Sequence, residues 1–114
     1  MAVRYTDAFK RQLKRLARRY RQIRADLQPL INQLQTGDRP GDQIKGVGYA
    51  VYKVRVRNTD LQRGISGGYR VIHYIAERDD ILLVTVYSKT AQDDVDADAI
   101  IRMIDGADPA TSTR

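Results

Sequence analysis

The sequence has no cysteine, no tryptophan and only one histidine, His73. A chain without cysteine has no disulfide, no thiol nucleophile and no cysteine-based zinc site, and one histidine excludes a pair of histidine metal ligands. No apolar run approaches the roughly 18 residues of a membrane-spanning helix, and no signal-peptide pattern opens the chain. We therefore expect a cytoplasmic protein that uses no metal and no cofactor and has no membrane partner.

Length and charge fit one small domain with an anionic partner. The 114 residues are 42% hydrophobic, which suffices for a core, and Lys plus Arg outnumber Asp plus Glu by 20 to 14. Residues 1–24 carry nine basic residues and one acidic residue, whereas residues 91–114 carry two and six. A basic front of this kind favours nucleic acid as a partner. A solvated helix face is the plain alternative.

The first third of the chain predicts a strand and two helices. Residues 1–5 alternate as a short strand does, and Thr6 can cap the helix that follows. Apolar residues then recur at helical spacing over residues 9–20 and again over residues 23–35. Pro29 leaves the start of the second helix open, because proline is tolerated in a first turn and is costly deeper in a helix.

The rest of the chain predicts a loop, three strands and a last helix. Residues 37–48 hold four glycines and a proline, as a loop does. The period then changes to two over residues 49–57, and residues 69–76 and 81–87 read as a hairpin. Apolar spacing predicts a final helix over residues 92–104. Its predicted boundaries are a cap at Ser88 or Thr90 and an end at Gly106 and Pro109.

The element order predicts an α+β fold. A β-α-α-β-β-β-α order gives a mainly antiparallel sheet, and we expect the helices to pack on one of its faces. We expect a single domain over residues 1–106 and a flexible tail over residues 107–114. The polar side chains of the strands should then lie on the uncovered face, where a functional site is expected.

Cations and a phenol recur at every second residue of the predicted strands, and they converge on one surface if adjacent strands bring these faces together. In an alternating strand every second residue shares a face, and the stretch around residues 53–57 contains no Asp or Glu to neutralise its cations. Such a surface can hold a phosphate, although a merely solvated sheet face is the alternative. His73 faces the other way and is expected to be a buried, hydrogen-bonded core residue. The candidate residues are Lys53, Arg55, Arg57, Arg70, Tyr87 and Lys89.

These segments resemble the RelE/ParE superfamily of type II toxins, within it most of all the HigB/RelE-like branch. The resemblance rests on VYKVRVR (residues 51–57), GGYRVIHYI (67–75) and LLVTVYSK (82–89), with DLQPLI (26–31) and the GDxIxG loop (41–46) in support. It covers residues 3–104 and implies the RelE-like fold. It also implies an mRNA interferase that cleaves messages in the ribosomal A site and is neutralised by a small antitoxin.

The resemblance implies roles for individual residues. Lys53 and Arg55 match the paired basic positions of the family's second strand, and Arg70 matches the arginine that holds the scissile phosphate. Lys89 stands beside the family's Lys-Arg on the last strand without reproducing it, since Thr90 follows. We expect Arg70 on the wet face, where truncation would barely affect the core. The basic first helix would grip ribosomal RNA through Lys10, Arg11, Lys14, Arg15, Arg18 and Arg19, with Arg57 as a further RNA contact.

The sequence departs from the family in its phenol. The C-terminal tyrosine of ribosome-dependent members is absent, and Asp96 stands about where it would fall. Tyr87 or Tyr74 would supply the phenol instead. Metal-independent attack by a 2′-OH would then use Lys53 as a base, Arg70 to stabilise the phosphorane and Lys89 or Tyr87 as the acid.

Two other functions stay open on the sequence. A ParE-like gyrase poison shares the fold and needs no cleavage face, and a non-catalytic nucleic-acid-binding module needs only the charge. We expect an acidic, initially disordered antitoxin that covers the cationic face or displaces an element beside it. The sequence leaves the homo-oligomeric state open.

Overall fold

The computed structural model describes residues 2–61, 68–76, 80–89 and 95–112, with side chains up to residue 106. The predicted α+β class is confirmed, since these described residues form three helices and one five-stranded mixed sheet. The elements in chain order are β1 (Val3–Tyr5), α1 (Asp7–Arg19), α2 (Ile23–Gln35), β2 (Asp42–Gln43), β3 (Val51–Val56), β4 (Tyr69–Ile75), β5 (Ile81–Ser88) and α3 (Ala97–Ser112).

The first helix begins where the sequence predicts. The Thr6 hydroxyl accepts a hydrogen bond from the Phe9 backbone N–H at 2.9 Å and donates one to the Val84 carbonyl at 2.5 Å. This side chain therefore caps α1 and also ties it to β5. Helix α2 begins at Ile23, so Pro29 lies inside it and removes one backbone hydrogen bond there.

The strands follow the order β1-β5-β4-β3-β2. The predicted antiparallel succession of β3, β4 and β5 is confirmed, and β1 adds to β5 in parallel. The segment predicted as a loop contains the short strand β2, which pairs with β3. Gly41 precedes β2 with φ 100°, and a Cβ there would lie 2.4 Å from the Lys53 carbonyl oxygen, so this approach requires glycine.

The helices cover both faces of the sheet, which corrects the expectation that they share one. Helices α1 and α2 pack with Val54, Val71 and Leu83 in one core cluster, whereas α3 packs with Val51 and Ile72 in another. Residues of the two clusters alternate along β3 and β4, so α3 lies opposite α1 and α2. The physical reason is that one end of the second face is apolar, and α3 buries it.

An irregularity in β5 decides which way its last residues face. Ile72 pairs with Thr85 and His73 pairs with Leu83, so Val84 is an extra residue in the ladder. Such a bulge shifts the alternation by one position. Without it Tyr87 would point to the same face as Leu83; with it Tyr87 joins the cluster beneath α3.

Helix α3 begins and ends later than predicted. Its first turn is capped by Asp96, whose carboxylate accepts a hydrogen bond from the Ala99 N–H at 2.8 Å. Ser88 instead ends β5, and Thr90 lies outside the described residues. The helix continues through Gly106 and Pro109 to Ser112. A glycine inside a helix costs only about 1 kcal/mol relative to alanine, so Gly106 alone is a weak stop. The predicted flexible tail stays a prediction.

The helices of the described part of the chain are all too short or too polar to cross a membrane.

Candidate functional site

Three candidate residues form one row across the three central strands. Arg55 on β3 lies directly opposite Arg70 on β4, and Arg70 lies directly opposite Tyr87 on β5. Residues paired in this way share a face of the sheet. Lys53 lies on the same face two residues along β3, opposite Ile72. We call the three paired residues Arg55, Arg70 and Tyr87, together with the neighbouring Lys53, the basic row.

The members of the basic row differ in how far they reach the solvent. Arg55 is exposed and Lys53 is half-buried, whereas Arg70 and Tyr87 are only 6% and 4% exposed. The Arg70 guanidinium donates a hydrogen bond to the Tyr69 carbonyl at 3.2 Å. The expectation that Arg70 lies on a wet face is therefore wrong. Arg70 lies on the central strand β4, between β3 and β5, and near the apolar cluster that α3 covers.

The remaining candidates follow directly on the ends of the strands. Arg57 is exposed just after β3, and Lys89 is half-buried just after β5. The Lys89 N–H donates to the Gly68 carbonyl at 3.0 Å, so the ladder between β4 and β5 continues past the strand end. A Cβ on Gly68 would lie 2.0 Å from the Val56 carbonyl oxygen. The close approach of β3 and β4 next to the basic row thus depends on this glycine.

The basic surface of α1 is separate from the basic row. Its cations are all exposed, as predicted, and Arg19 also lies over the Tyr20 ring, 5.5 Å from its centroid. Helix α1 packs on the face of the sheet opposite the row. The two sets of cations therefore belong to different surfaces. The exposed residues of α1 are Lys10, Arg11, Lys14, Arg15, Arg18 and Arg19.

His73 is a core residue, as predicted. It has no exposed surface, its ring stacks on Tyr52 with centroids 5.4 Å apart, and its Nε2 lies 3.0 Å from the Pro40 carbonyl oxygen. This carbonyl can only accept, so Nε2 carries the proton, and the buried Nδ1 has no partner. Burial, with a smaller effect from Arg39, lowers the pKa of His73 below its ordinary value.

Two further features on this side of the sheet could not be predicted from the sequence pattern. Thr85 is buried and pairs with Ile72, the residue that also lies opposite Lys53, and the bulge sets this position. The Tyr49 hydroxyl donates a hydrogen bond to the Asp105 carboxylate at 2.6 Å and joins the segment just before β3 to α3. Only the apolar spacing of α3 hints at such a contact, and it does not identify Tyr49 as the partner.

The comparison with protein families matches most of the chain. Residues 3–93 match the family described as the ParE toxin of type II toxin-antitoxin systems, parDE. The chain belongs to this family. A search of the curated proteins finds no match. The predicted RelE/ParE superfamily is thus confirmed, and a toxin of a type II system has a cognate antitoxin as its partner.

Proposed function

We propose that this toxin is an mRNA interferase of the HigB/RelE-like branch, which cleaves messages on the ribosome in the cytoplasm. The observation that carries the proposal is the basic row. Its strand register brings Arg55, Arg70 and Tyr87 side by side, with Lys53 on the same face. Convergent cations beside a phenol suit a phosphate that gains negative charge during reaction.

The proposed reaction needs only groups of this kind. The 2′-OH of the RNA attacks the adjacent phosphate, the bond to the 5′ oxygen breaks, and a 2′,3′-cyclic phosphate forms. Lys53 would take the proton of the 2′-OH, and Tyr87 or Lys89 would protonate the leaving oxygen. One carboxylate, Asp42, lies opposite Lys53 across β2 and β3, but the described residues contain no group of three His, Asp or Glu side chains that could hold a metal. A nucleophile already attached to the substrate needs no metal-bound water.

Burial divides the proposed roles. The exposed Arg55 and the half-buried Lys53 can touch an RNA strand that lies on the surface. Arg70 lies between Arg55 and Tyr87 and is nearly covered, so its charge would act on the phosphate from below. A charge in a partly desolvated position interacts more strongly with a developing anion than one in water does. Arg57 would hold the RNA strand next to this site.

The basic surface of α1 would bind ribosomal RNA. Its cations are exposed and lie away from the proposed cleavage site, so both surfaces can be occupied at once. Contacts of this kind go to phosphates, which provide affinity without reading sequence.

A ParE-like gyrase poison is the second candidate. Two observations favour it: the match to the ParE toxin family, and the burial of Arg70 and Tyr87, which leaves fewer groups at the surface for catalysis. A gyrase poison would act through a protein–DNA target and would not require the basic row to surround one phosphate.

One paired experiment separates the two candidates. The toxin is induced in cells, and primer extension on a reporter mRNA is run beside an assay of plasmid supercoiling. We expect new mRNA ends within minutes and no primary change in supercoiling. Lys53→Ala combined with Arg55→Ala should abolish the new ends, whereas Arg102→Ala, an exposed change on α3, should not. A supercoiling defect on intact mRNA would overturn the proposal.

A further inference from the structure

A groove of about 250 Å³ lies beside the outer edge of β5, between α1 and α3. Strand β1 pairs with Ile81–Leu83, and no described strand pairs with the rest of β5 on this side. Helices α1 and α3, which cover opposite faces of the sheet, both reach this edge. The groove is smaller than the roughly 300–1,000 Å³ of a drug-sized site, so it suits a ligand the size of one base.

The floor of the groove carries a polar group that is open to a ligand. Thr85 and Tyr87 line this floor and are only 3% and 4% exposed. Buried hydroxyl groups are normally hydrogen-bonded. The Thr85 hydroxyl makes no hydrogen bond to another described residue, so it is available to a polar ligand in the groove.

The walls of the groove combine polar and apolar side chains. Gln12 contributes an amide from α1, and Asp96 contributes a carboxylate from the start of α3. The Asp96 carboxylate accepts the Ala99 N–H at 2.8 Å, which uses one of the about four acceptor positions of an ionised carboxylate. Val95 and Met103 add apolar surface against which a flat ring can pack.

The groove continues the basic row across the sheet. The row runs from Arg55 through Arg70 to Tyr87, and Tyr87 also lines the groove. Neighbouring strands lie about 4.8 Å apart, so the groove begins within about 10 Å of Arg70. An RNA with a phosphate on the basic row can therefore place a neighbouring base in the groove.

We propose that this groove binds a guanine base of the RNA, next to the bond that is cleaved. The inference rests on the proposed function and adds a base preference to it. The Watson–Crick edge of guanine has two adjacent N–H donors, N1 and N2, and the acceptor O6. Asp96 would accept from the two donors, and the Gln12 amide would donate to O6.

The same groups disfavour adenine. Adenine presents the lone pair of N1 where guanine presents an N–H, so it would repel the Asp96 carboxylate. A site built to pair with a hydrogen-bond donor rejects an analogue that lacks this donor, because the polar groups of the site are then left unpaired.

Cleavage of RNAs that differ only at the nucleotides flanking the cut tests the proposal. Purified toxin, with ribosomes where bare RNA is not cut, should cut RNA with guanine at one of these positions at least about tenfold faster than RNA with adenine there. Asp96→Asn keeps a good helix cap but loses the charge and one acceptor, so this preference should fall below about threefold. Asp98→Asn is the control. It makes the same change in the same turn of α3, at an exposed residue that does not line the groove, and it should keep the full preference.

Inosine keeps the test independent of any variant, because it differs from guanine only in lacking the N2 amino group. Replacing the guanine by inosine should slow cleavage by the unchanged toxin at least about fivefold. Equal rates on guanine and inosine, equal rates on guanine and adenine, a preference that survives Asp96→Asn or an equal loss in Asp98→Asn would each overturn the proposal. Cleavage without a guanine preference would leave the proposed function standing. A toxin that cuts no RNA would overturn the proposed function and this base site together.

Discussion

The two faces of the sheet use the same strands for different purposes. The face under α1 and α2 carries Val54, Val71 and Leu83 in an apolar core, with His73 as a buried polar exception. The face toward α3 carries the basic row beside a smaller apolar cluster. Because neighbouring residues of one strand point to opposite faces, the fold can keep stability on one side and charge on the other.

The largest expected effect on stability comes from the α1–α2 face. Leu34 on α2 is fully buried, so Leu34→Ala should lower the free energy of unfolding by about 2–5 kcal/mol. Arg55→Ala on the other face removes an exposed side chain and should change it by about 0.5 kcal/mol or less. Urea denaturation of both purified variants measures the difference. A large loss of unfolding free energy in Arg55→Ala would show that the face carrying the basic row also stabilises the fold.

RNA cleavage should depend strongly on Arg55, although stability depends on it only weakly. If Arg55 stabilises the transition state directly, Arg55→Ala should slow RNA cleavage by about 10²-fold or more. Primer extension at a series of induction times measures the rate in cells, with Arg102→Ala as the control. An Arg55→Ala toxin that cuts as fast as the unchanged toxin would remove Arg55 from the site.

An intermediate effect is expected for Arg70, which shares its charge with the basic row and its burial with the apolar core. Arg70 is charged and lies in the basic row, yet it is nearly as buried as the core. Arg70→Ala should lower the free energy of unfolding by about 1–3 kcal/mol and also lower activity. Arg70→Lys keeps the charge and loses the planar fork, so a folded Arg70→Lys toxin with full activity would show that only charge matters here.

The sequence predicts the pattern within each strand better than the arrangement between elements. Alternation in β3 is regular, so spacing alone predicts the shared face of Lys53 and Arg55, whereas Arg70 joins them only through the pairing of β3 with β4. The side of Tyr87 depends on the bulge at Val84, and no local signal marks that bulge. The spacing places Tyr87 beside Arg70 only if the faces of β4 and β5 that carry these residues come together.

The position of α3 accounts for most of what the sequence did not predict. Spacing shows that this helix has an apolar side but not which face of the sheet it covers, because Val51 and Ile72 look like ordinary strand residues. The burial of Arg70 and Tyr87 follows from the tertiary placement of α3 and of the neighbouring strands. The roles of the basic-row residues stay predictions.

The smallest expected effect is a pH dependence from His73. Its pKa is lowered in the folded protein, so the unfolded chain takes up a proton as pH falls through about 6.5, whereas the folded protein takes it up only at lower pH. The unfolded state is then favoured, and stability should fall below about pH 6.5 by at most about 1.4 kcal/mol per pH unit. Above about pH 7 this residue should contribute no slope.

A His73→Gln variant provides the control for this prediction. Glutamine cannot titrate, so the slope between about pH 6.5 and 5.5 should disappear even if the overall stability is lower. Urea midpoints at several pH values measure it. An unchanged slope in His73→Gln would assign the pH dependence to other groups.

The end groups of the cut RNA show whether the basic row cleaves RNA without a metal. Purified toxin, or toxin with ribosomes where bare RNA is not cut, is given a labelled RNA and its deoxy counterpart, with EDTA on bare RNA or polyamine in place of magnesium on ribosomes. We predict cut RNA that ends in a 2′,3′-cyclic phosphate or 3′-phosphate, and intact DNA. A 3′-hydroxyl end, cut DNA or a strict need for Mg²⁺ in the chemical step would rule out metal-independent attack by the 2′-OH.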